Sequence, residues 1–176
     1  MLGLGNLLLG DEGFGVHAAA RLRARFRLPP DVEVVDGGTL GLGLLAALED
    51  ADRILVLDAL DAGQPPGTVV RLSWDDLPRV VRTKVSPHQV TVQEVLALRE
   101  FRHGRPAAFE AVGVQPASLE PGCDLSSEVE AAMGEALATA VAVLRGWGHS
   151  VEVAGAAPGA AALPLLPAKA VPSGGS

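Results

Sequence analysis

Three polar residues, Glu12, Asp58 and His88, each lie in a different segment that joins a predicted strand to a predicted helix. Two carboxylates and one imidazole form an O/O/N ligand set that suits a borderline divalent ion such as Ni²⁺ or Zn²⁺. Such a set leaves coordination positions for water or a substrate. If the strands are parallel, their carboxyl ends meet at one edge of the sheet, and we expect the three side chains to lie together there.

Each of these residues also has a structural explanation that the sequence leaves open. Glu12 lies next to the N-terminal end of a predicted helix, where a negative charge favours the helix dipole. Asp58 is followed by Asp61-Ala62-Gly63 and fits the start of a turn. His88 shares a helix face with apolar residues and fits a packed, neutral histidine.

A glycine-rich turn, Asp36-Gly37-Gly38-Thr39, closes a predicted strand at the same edge. Two consecutive glycines permit unusual backbone dihedrals and the close approach of another chain. The turn therefore fits a rim that binds a peptide. The alternative is an ordinary strand-to-helix turn with Thr39 as the N-cap.

Other catalytic motifs are missing or incomplete. The dinucleotide fingerprint G-x-G-x-x-G fails at Leu8, and the carboxylates of Asp11 and Glu12 would repel a pyrophosphate. Neither H-E-x-x-H nor G-x-S-x-G occurs. We interpret Cys123 as a passive thiol without a histidine partner. The remaining histidines are predicted to be surface residues: His17, His103 and His149.

Short apolar runs alternate with segments of helical periodicity, which is typical of an α/β fold with a parallel sheet. The predicted strands are Leu2–Leu4, Val32–Val35, Ile54–Leu57, Thr68–Leu72 and Ala107–Val114. The predicted helices are Phe14–Phe26, Leu40–Leu48, one that begins at the capping box Ser86-Pro87-His88-Gln89, and Ser126–Trp147.

Length and composition fit one domain with an acidic surface. The chain has 176 residues, 14 Lys and Arg against 21 Asp and Glu, and one cysteine. This balance argues against nucleic acid as a partner, and the single cysteine excludes an internal disulfide framework. We predict a domain over residues 1–152 and a disordered Ala/Pro/Gly-rich tail over 153–176. No targeting or spanning segment is visible, so we expect a cytoplasmic protein without a membrane partner.

The order of these motifs resembles a known family. The blocks are Gly3-Leu4-Gly5-Asn6, Gly10-Asp11-Glu12-Gly13-Phe14-Gly15, Asp36-Gly37-Gly38-Thr39, Leu57-Asp58-Ala59, Ser86-Pro87-His88-Gln89 and Gly113-Val114-Gln115-Pro116. Together they resemble the hydrogenase maturation endopeptidases, which trim the C-terminal extension from the large subunit of nickel–iron hydrogenases.

The resemblance implies a three-layer α/β/α sandwich with a mostly parallel twisted sheet. It implies that Glu12, Asp58 and His88 contact nickel already inserted in the large-subunit precursor, and that Asp36, Gly37, Gly38 and Thr39 take part in substrate recognition. The implied mechanism is metal-assisted peptide hydrolysis, in which nickel polarises the scissile carbonyl or activates a water molecule. Acid–base help from Asp11 or Asp36 stays open.

Three other functions compete with this one. A nickel-dependent maturation chaperone would bind the loaded precursor without cutting it. A small nucleotide-binding module would bind ATP or NAD without a metal. A related α/β peptidase would act on a different protein.

Overall fold

The computed structural model describes residues 1–76 and 92–154. The strands are β1 (Leu2–Leu4), β2 (Phe26–Arg27), β3 (Val35–Gly38), β4 (Arg53–Ala59), β5 (Val69–Ser73), β6 (Ala108–Val114) and β7 (Glu152–Val153). The α-helices are α1 (Phe14–Arg25), α2 (Leu45–Glu49), α3 (Val92–His103) and α4 (Ser127–Gly146). Short 3₁₀ helices lie at Gly10–Gly13, Gly41–Leu44 and Trp74–Asp76.

The main sheet has five strands in the order β3-β1-β4-β6-β5. All neighbouring pairs are parallel except β5 and β6, which are antiparallel. The two short strands β2 and β7 form a separate antiparallel pair. The sheet is therefore mostly parallel, as expected.

Helices cover both faces of this sheet. Leu55 and Leu57 of β4 pack into one buried cluster with residues of α1 and α4. Ile54 and Val56, which alternate with them, pack into a second cluster with residues of α2 and α3. Because successive side chains of a strand point to opposite faces, a strand buried on both sides is continuously apolar. The predicted α/β/α sandwich is confirmed.

The boundaries of most described elements match the predictions to within two residues. The predicted helix Leu40–Leu48 is instead a 3₁₀ helix at Gly41–Leu44 followed by α2 at Leu45–Glu49. The bounds of β3 also differ. Its predicted range was Val32–Val35, whereas the strand runs from Val35 to Gly38. The neighbouring strand β1 sets these limits, because Leu2 of β1 pairs with Val35 and Leu4 pairs with Gly38. The apolar run before Val35 packs against the core without joining the ladder.

The longest helix, α4, begins as the sequence predicts. Ser126 is its N-cap, and the Ser126 side chain accepts a hydrogen bond from the backbone N–H of Val129.

The capping box at Ser86 lies outside the described residues, as do residues 155–176 of the predicted tail. The domain boundary at residue 152 stays a prediction.

The chain order creates a crevice at one edge of the sheet. From β1 the chain crosses to β3 on one side, and it later places β4 on the other side of β1. In open parallel sheets, ligands bind at such a reversal, outside the carboxyl ends of the strands. Glu12 follows β1 and Asp58 lies near the end of β4, so both belong to this crevice.

No helix within residues 1–76 and 92–154 combines the length and apolar character needed to cross a bilayer.

Candidate active site

Glu12 lies in the 3₁₀ helix Gly10–Gly13, which leads directly into α1. Its backbone passes so close to the end of β1 that a Cβ atom on Gly5 would lie 1.7 Å from the Glu12 carbonyl oxygen. Gly5 also has a φ of +125°, which side chains rarely permit. The glycine after β1 therefore allows the turn that brings Glu12 onto the sheet edge.

A second glycine fixes the start of α1 against the same edge. A Cβ atom on Gly15 would lie 2.0 Å from the carbonyl oxygen of Leu57 and 2.4 Å from that of Leu4. These two carbonyls belong to β4 and β1, so the first turn of the helix rests on both strand ends. This contact sets Glu12 next to Asp58.

Asp58 is the sixth residue of β4 and is partly buried. Burial raises the pKa of its carboxyl group to about 7, with the nearby charge of Glu12 adding to the effect. One hydrogen bond, from the Ala59 backbone N–H to Asp58 Oδ1 at 2.9 Å, acts in the opposite direction on the pKa. A carboxyl group with this pKa can hold or release a proton near neutral pH.

Glu12 lacks the partners that a buried carboxylate needs. Its Oε2 atom is buried and has no hydrogen-bond partner. Burial also raises the pKa of Glu12. Two neighbouring carboxyl groups, both desolvated and weakly compensated, form a place where a cation would be stabilised. The pair therefore fits a divalent metal and would repel a phosphate.

The third predicted ligand, His88, lies outside the described residues. Within residues 1–76 and 92–154, no group of three His, Cys, Asp or Glu side chains is arranged to hold a metal ion. The structure thus brings Glu12 and Asp58 together, and the assignment of the trio as metal-contacting and catalytic residues stays a prediction.

The glycine-rich turn lies at the same edge. Asp36 pairs with Gly3, and the Asp36 Oδ1 atom accepts a hydrogen bond from the Gly38 N–H at 3.0 Å. The Gly38 carbonyl accepts one from the Gly5 N–H at 3.1 Å, which joins this turn to the loop that precedes Glu12. Thr39 is exposed and does not cap a helix, because Leu40 occupies that position without a side-chain hydrogen bond.

Asp11 has a structural role, which argues against the acid–base role left open for it. Its side chain is 1% exposed. Asp11 Oδ2 accepts hydrogen bonds from the N–H groups of Ala117 and Ser118 and from the Ser126 hydroxyl, and Oδ1 accepts one from the Ser126 N–H. Burial alone would raise the pKa of Asp11, but these hydrogen bonds outweigh it and lower the pKa.

His17 departs from the expected surface position. Its side chain is partly buried, and its Nε2 atom is buried without a partner. Burial lowers the pKa of His17, and the charge of Arg21 lowers it further. The nearby backbone of Cys123 acts in the opposite direction on this pKa, and the Cys123 thiol is free and exposed.

The comparison with family models is decisive for classification. A model described as a hydrogenase maturation protease, HycI, matches residues 16–143. The chain belongs to this family.

Individual relatives agree with the family match. A hydrogenase expression/formation protein HupD from Rhizobium leguminosarum bv. viciae is 40% identical over 168 residues, covering 94% of this chain and 82% of the relative. The hydrogenase maturating endopeptidase HybD from Escherichia coli has a similar structure, with a TM-score of 0.80 and 38% identity over 86% of this chain and 94% of that chain. The [NiFe] hydrogenase maturation protease HybD from Thermococcus kodakarensis has a TM-score of 0.64 and 26% identity, over 81% of this chain and 95% of that chain.

As a hydrogenase maturation protease, the chain is a peptidase. Its fold gives this peptidase one further positioning residue that the sequence analysis did not single out. Gln115 is buried after β6, and its Oε1 atom accepts hydrogen bonds from the N–H groups of Ala62 and Gln64. Its Nε2 atom donates to Asp61 Oδ1 at 3.1 Å.

These bonds hold the loop that follows Asp58 against the end of β6. The available clue was the position of Gln115 within the Gly113-Val114-Gln115-Pro116 block, directly after a predicted strand and at the carboxyl edge.

Proposed function

We propose that this protease removes the C-terminal extension of a nickel–iron hydrogenase large-subunit precursor after nickel has been inserted. The observation that carries the proposal is the pair Glu12 and Asp58, whose desolvated carboxyl groups meet at the crevice while Glu12 Oε2 is buried without a partner. A cation brought by the substrate would supply the missing partner.

Nickel in this proposal is part of the substrate, and Glu12, Asp58 and His88 are the residues that contact it. Two carboxylates and an imidazole suit such an ion and leave positions for groups of the precursor. The name of the Thermococcus kodakarensis relative, which specifies a [NiFe] hydrogenase, supports this choice of metal.

The bound metal supplies polarisation of the scissile carbonyl or activation of a water molecule. The other tasks belong to the chain itself. Glu12 and Asp58 orient the metal-bearing end of the precursor at the sheet edge. The turn Asp36-Gly37-Gly38-Thr39 lies beside them and offers backbone that another peptide can approach closely.

The free thiol of Cys123 is in keeping with a reducing compartment, and we place the reaction in the cytoplasm.

The test is the mass of a co-expressed hydrogenase large subunit, measured with and without this protein and with and without nickel. We expect loss of a C-terminal peptide only when both are present. A stable complex with an uncut precursor would instead support the nickel-dependent chaperone.

A matched pair of histidine variants tests the metal-contacting trio. His88→Ala should abolish cleavage, because it removes one proposed nickel contact. His103→Ala is the control, since His103 lies exposed at the C-terminal end of α3, beside Glu49 and near the amino end of β4. Equal cleavage by both variants would remove His88 from the site.

A further inference from the structure

Large apolar side chains are exposed at the edge of the sheet that carries the candidate site. Leu8 is 67% exposed and Leu42 is 55% exposed. Together with three more exposed leucines they form what we call the leucine rim, which consists of Leu7, Leu8, Leu40, Leu42 and Leu119. In the part of the chain that the structure describes, the other exposed large apolar residues are only Phe101 and Val153. Exposed apolar residues grouped in this way mark interaction surfaces.

Hydrogen bonds connect the three loops that carry the leucine rim. Two hydrogen bonds join the loop after β1 to Gly122. The Gly122 N–H donates to the Leu8 carbonyl, and the Gly10 N–H donates to the Gly122 carbonyl. Gly122 belongs to the loop after β6, which contains Leu119. The Gly5 N–H donates to the Gly38 carbonyl, which joins the loop after β3. These bonds hold the three loops that carry the rim side by side, and Glu12 lies within one of them.

The charged residues in the described loops at this edge are acidic. Residues 5–13, 36–44, 58–68 and 115–126, which include the last residues of β3 and β4 and the loops after β1, β3, β4 and β6, contain no Lys or Arg. Their acidic residues are Asp11, Glu12, Asp36, Asp58, Asp61, Glu120 and Asp124. The segment that carries His88 adds three basic residues, Arg79, Arg82 and Lys84. The acidic residues of these loops still outnumber them, so the edge favours an uncharged or basic partner over an acidic one or an anionic lipid surface.

We propose that the leucine rim binds an apolar, non-acidic polypeptide segment of the hydrogenase precursor next to the bond that is cut. This inference rests on the proposed function, because the rim is continuous with the site where that precursor is held. An endopeptidase must bind its substrate chain next to the cleaved bond. A rim of leucines on three neighbouring loops provides an apolar surface for that binding. Burial of their apolar area stabilises the complex before any chemistry occurs.

The experiment compares steady-state cleavage of the full-length precursor by the unmodified protein, Leu8→Ser, Leu42→Ser and the double variant. Each single change should raise KM about ten-fold and the double change about 100-fold, because half-exposed leucines lose the apolar burial gained on binding. The value of kcat should stay within about two-fold, since neither residue contacts the reacting groups.

Phe101→Ser and Val153→Ser are the matched controls, because both residues are exposed and lie away from the crevice. Their KM should not change. The variant with both Leu8→Met and Leu42→Met should restore the low KM, which separates apolar contact from a change in folding.

An unchanged KM in the double serine variant, with cleavage intact, would overturn the leucine rim but leave the proposed function standing. An equal rise of KM in Phe101→Ser would also overturn it. If sedimentation shows a dimer that the double variant converts to a monomer, a second copy of the chain occupies the rim and the proposal is wrong. If the unmodified protein cuts no nickel-loaded precursor, both proposals fail.

Discussion

Asp11 and Glu12 are neighbours in one 3₁₀ helix, yet their carboxyl groups have opposite surroundings. Asp11 accepts hydrogen bonds from Ala117, Ser118 and Ser126, and the pKa of Asp11 is lowered. Glu12 has a buried oxygen without a partner, and the pKa of Glu12 is raised. The first carboxylate is stabilised within the protein, whereas the second lacks a partner that the protein itself provides.

This difference separates a structural acid, Asp11, from Glu12, the acid that we propose to contact the substrate metal. A buried charge that the fold satisfies contributes to stability, and its loss exposes unpaired donors. A buried charge that the fold leaves unsatisfied reduces stability and gains from an incoming cation. The Asp11 carboxylate connects the 3₁₀ helix to the loop before α4. The Glu12 carboxylate, together with Asp58, lies at the crevice.

The largest expected effect is on cleavage. Glu12→Gln and Asp58→Asn keep the shape of each side chain but remove its charge, so each should reduce kcat/KM for the nickel-loaded precursor by about 1,000-fold or more. Each variant should remain folded by circular dichroism. A loss of less than about ten-fold would show that these carboxylates do not hold the metal-bearing substrate.

The next effect is on stability. Asp11→Asn should lower the free energy of unfolding by about 3–5 kcal/mol, because an amide cannot accept the hydrogen bonds that now converge on both oxygens. Urea unfolding at pH 7 measures this change. Glu12→Gln is the control, and its stability should equal or exceed that of the unmodified protein.

The sign of the pH dependence sharpens the Asp11 prediction. Because the pKa of Asp11 is lowered from 3.8 by folding, its contribution is present above that pH and is lost as the pH falls further. The difference in free energy of unfolding between the unmodified protein and Asp11→Asn should therefore become smaller at acidic pH. A gap that stays constant from pH 7 to pH 3 would contradict the role of the Asp11 charge.

In metal-free protein, the ionisation of Asp58 should change the free energy of unfolding with pH in the opposite direction. Folding raises the pKa of Asp58 from 3.8 to about 7, so the folded state retains a proton that the unfolded chain has lost. Stability should fall as the pH rises between these values and level off above 7. Asp58→Asn should be more stable than the unmodified protein by about 4 kcal/mol at pH 8 and equal to it near pH 4.

Thermal unfolding in the presence of a chelator, at several pH values, measures this difference. Equal stability of the two proteins at pH 8 would show that Asp58 is better solvated than its surroundings indicate.

The smallest effect is expected at Asp36. Asp36→Asn retains an oxygen that accepts the Gly38 N–H, so the free energy of unfolding should change by less than about 0.5 kcal/mol. If the Asp36–Thr39 turn binds substrate, KM for the precursor should rise while kcat stays constant. A loss of stability as large as that of Asp11→Asn would remove the contrast between the two aspartates.

Local pattern predicted most of the described fold. The continuous apolar run at Ile54–Leu57 indicated a strand buried on both faces, and β4 contains it. Ser126 was predicted as the start of the last helix, where its side chain caps α4. The range of β3 was wrong because strand limits depend on the partner strand, and β1 offers only three residues for pairing.

The site was predictable in position but not in detail. Glu12 and Asp58 were expected at one edge because a parallel sheet brings the carboxyl ends of its strands together. Gln115 was not singled out, since its partners Ala62 and Gln64 lie more than 50 residues earlier in the chain. His17 was expected on the surface, but packing partly buries it.

The sequence by itself determined the alternation of strands and helices, the glycines that permit close turns, and the carboxylates available at the sheet edge. Only the tertiary structure decided which of two adjacent carboxylates is satisfied. The partners of Asp11 are more than 100 residues away, and the burial of Glu12 arises where α1 meets β1 and β4. Burial and hydrogen bonding depend on segments distant in the chain, so spacing along the sequence cannot reveal them.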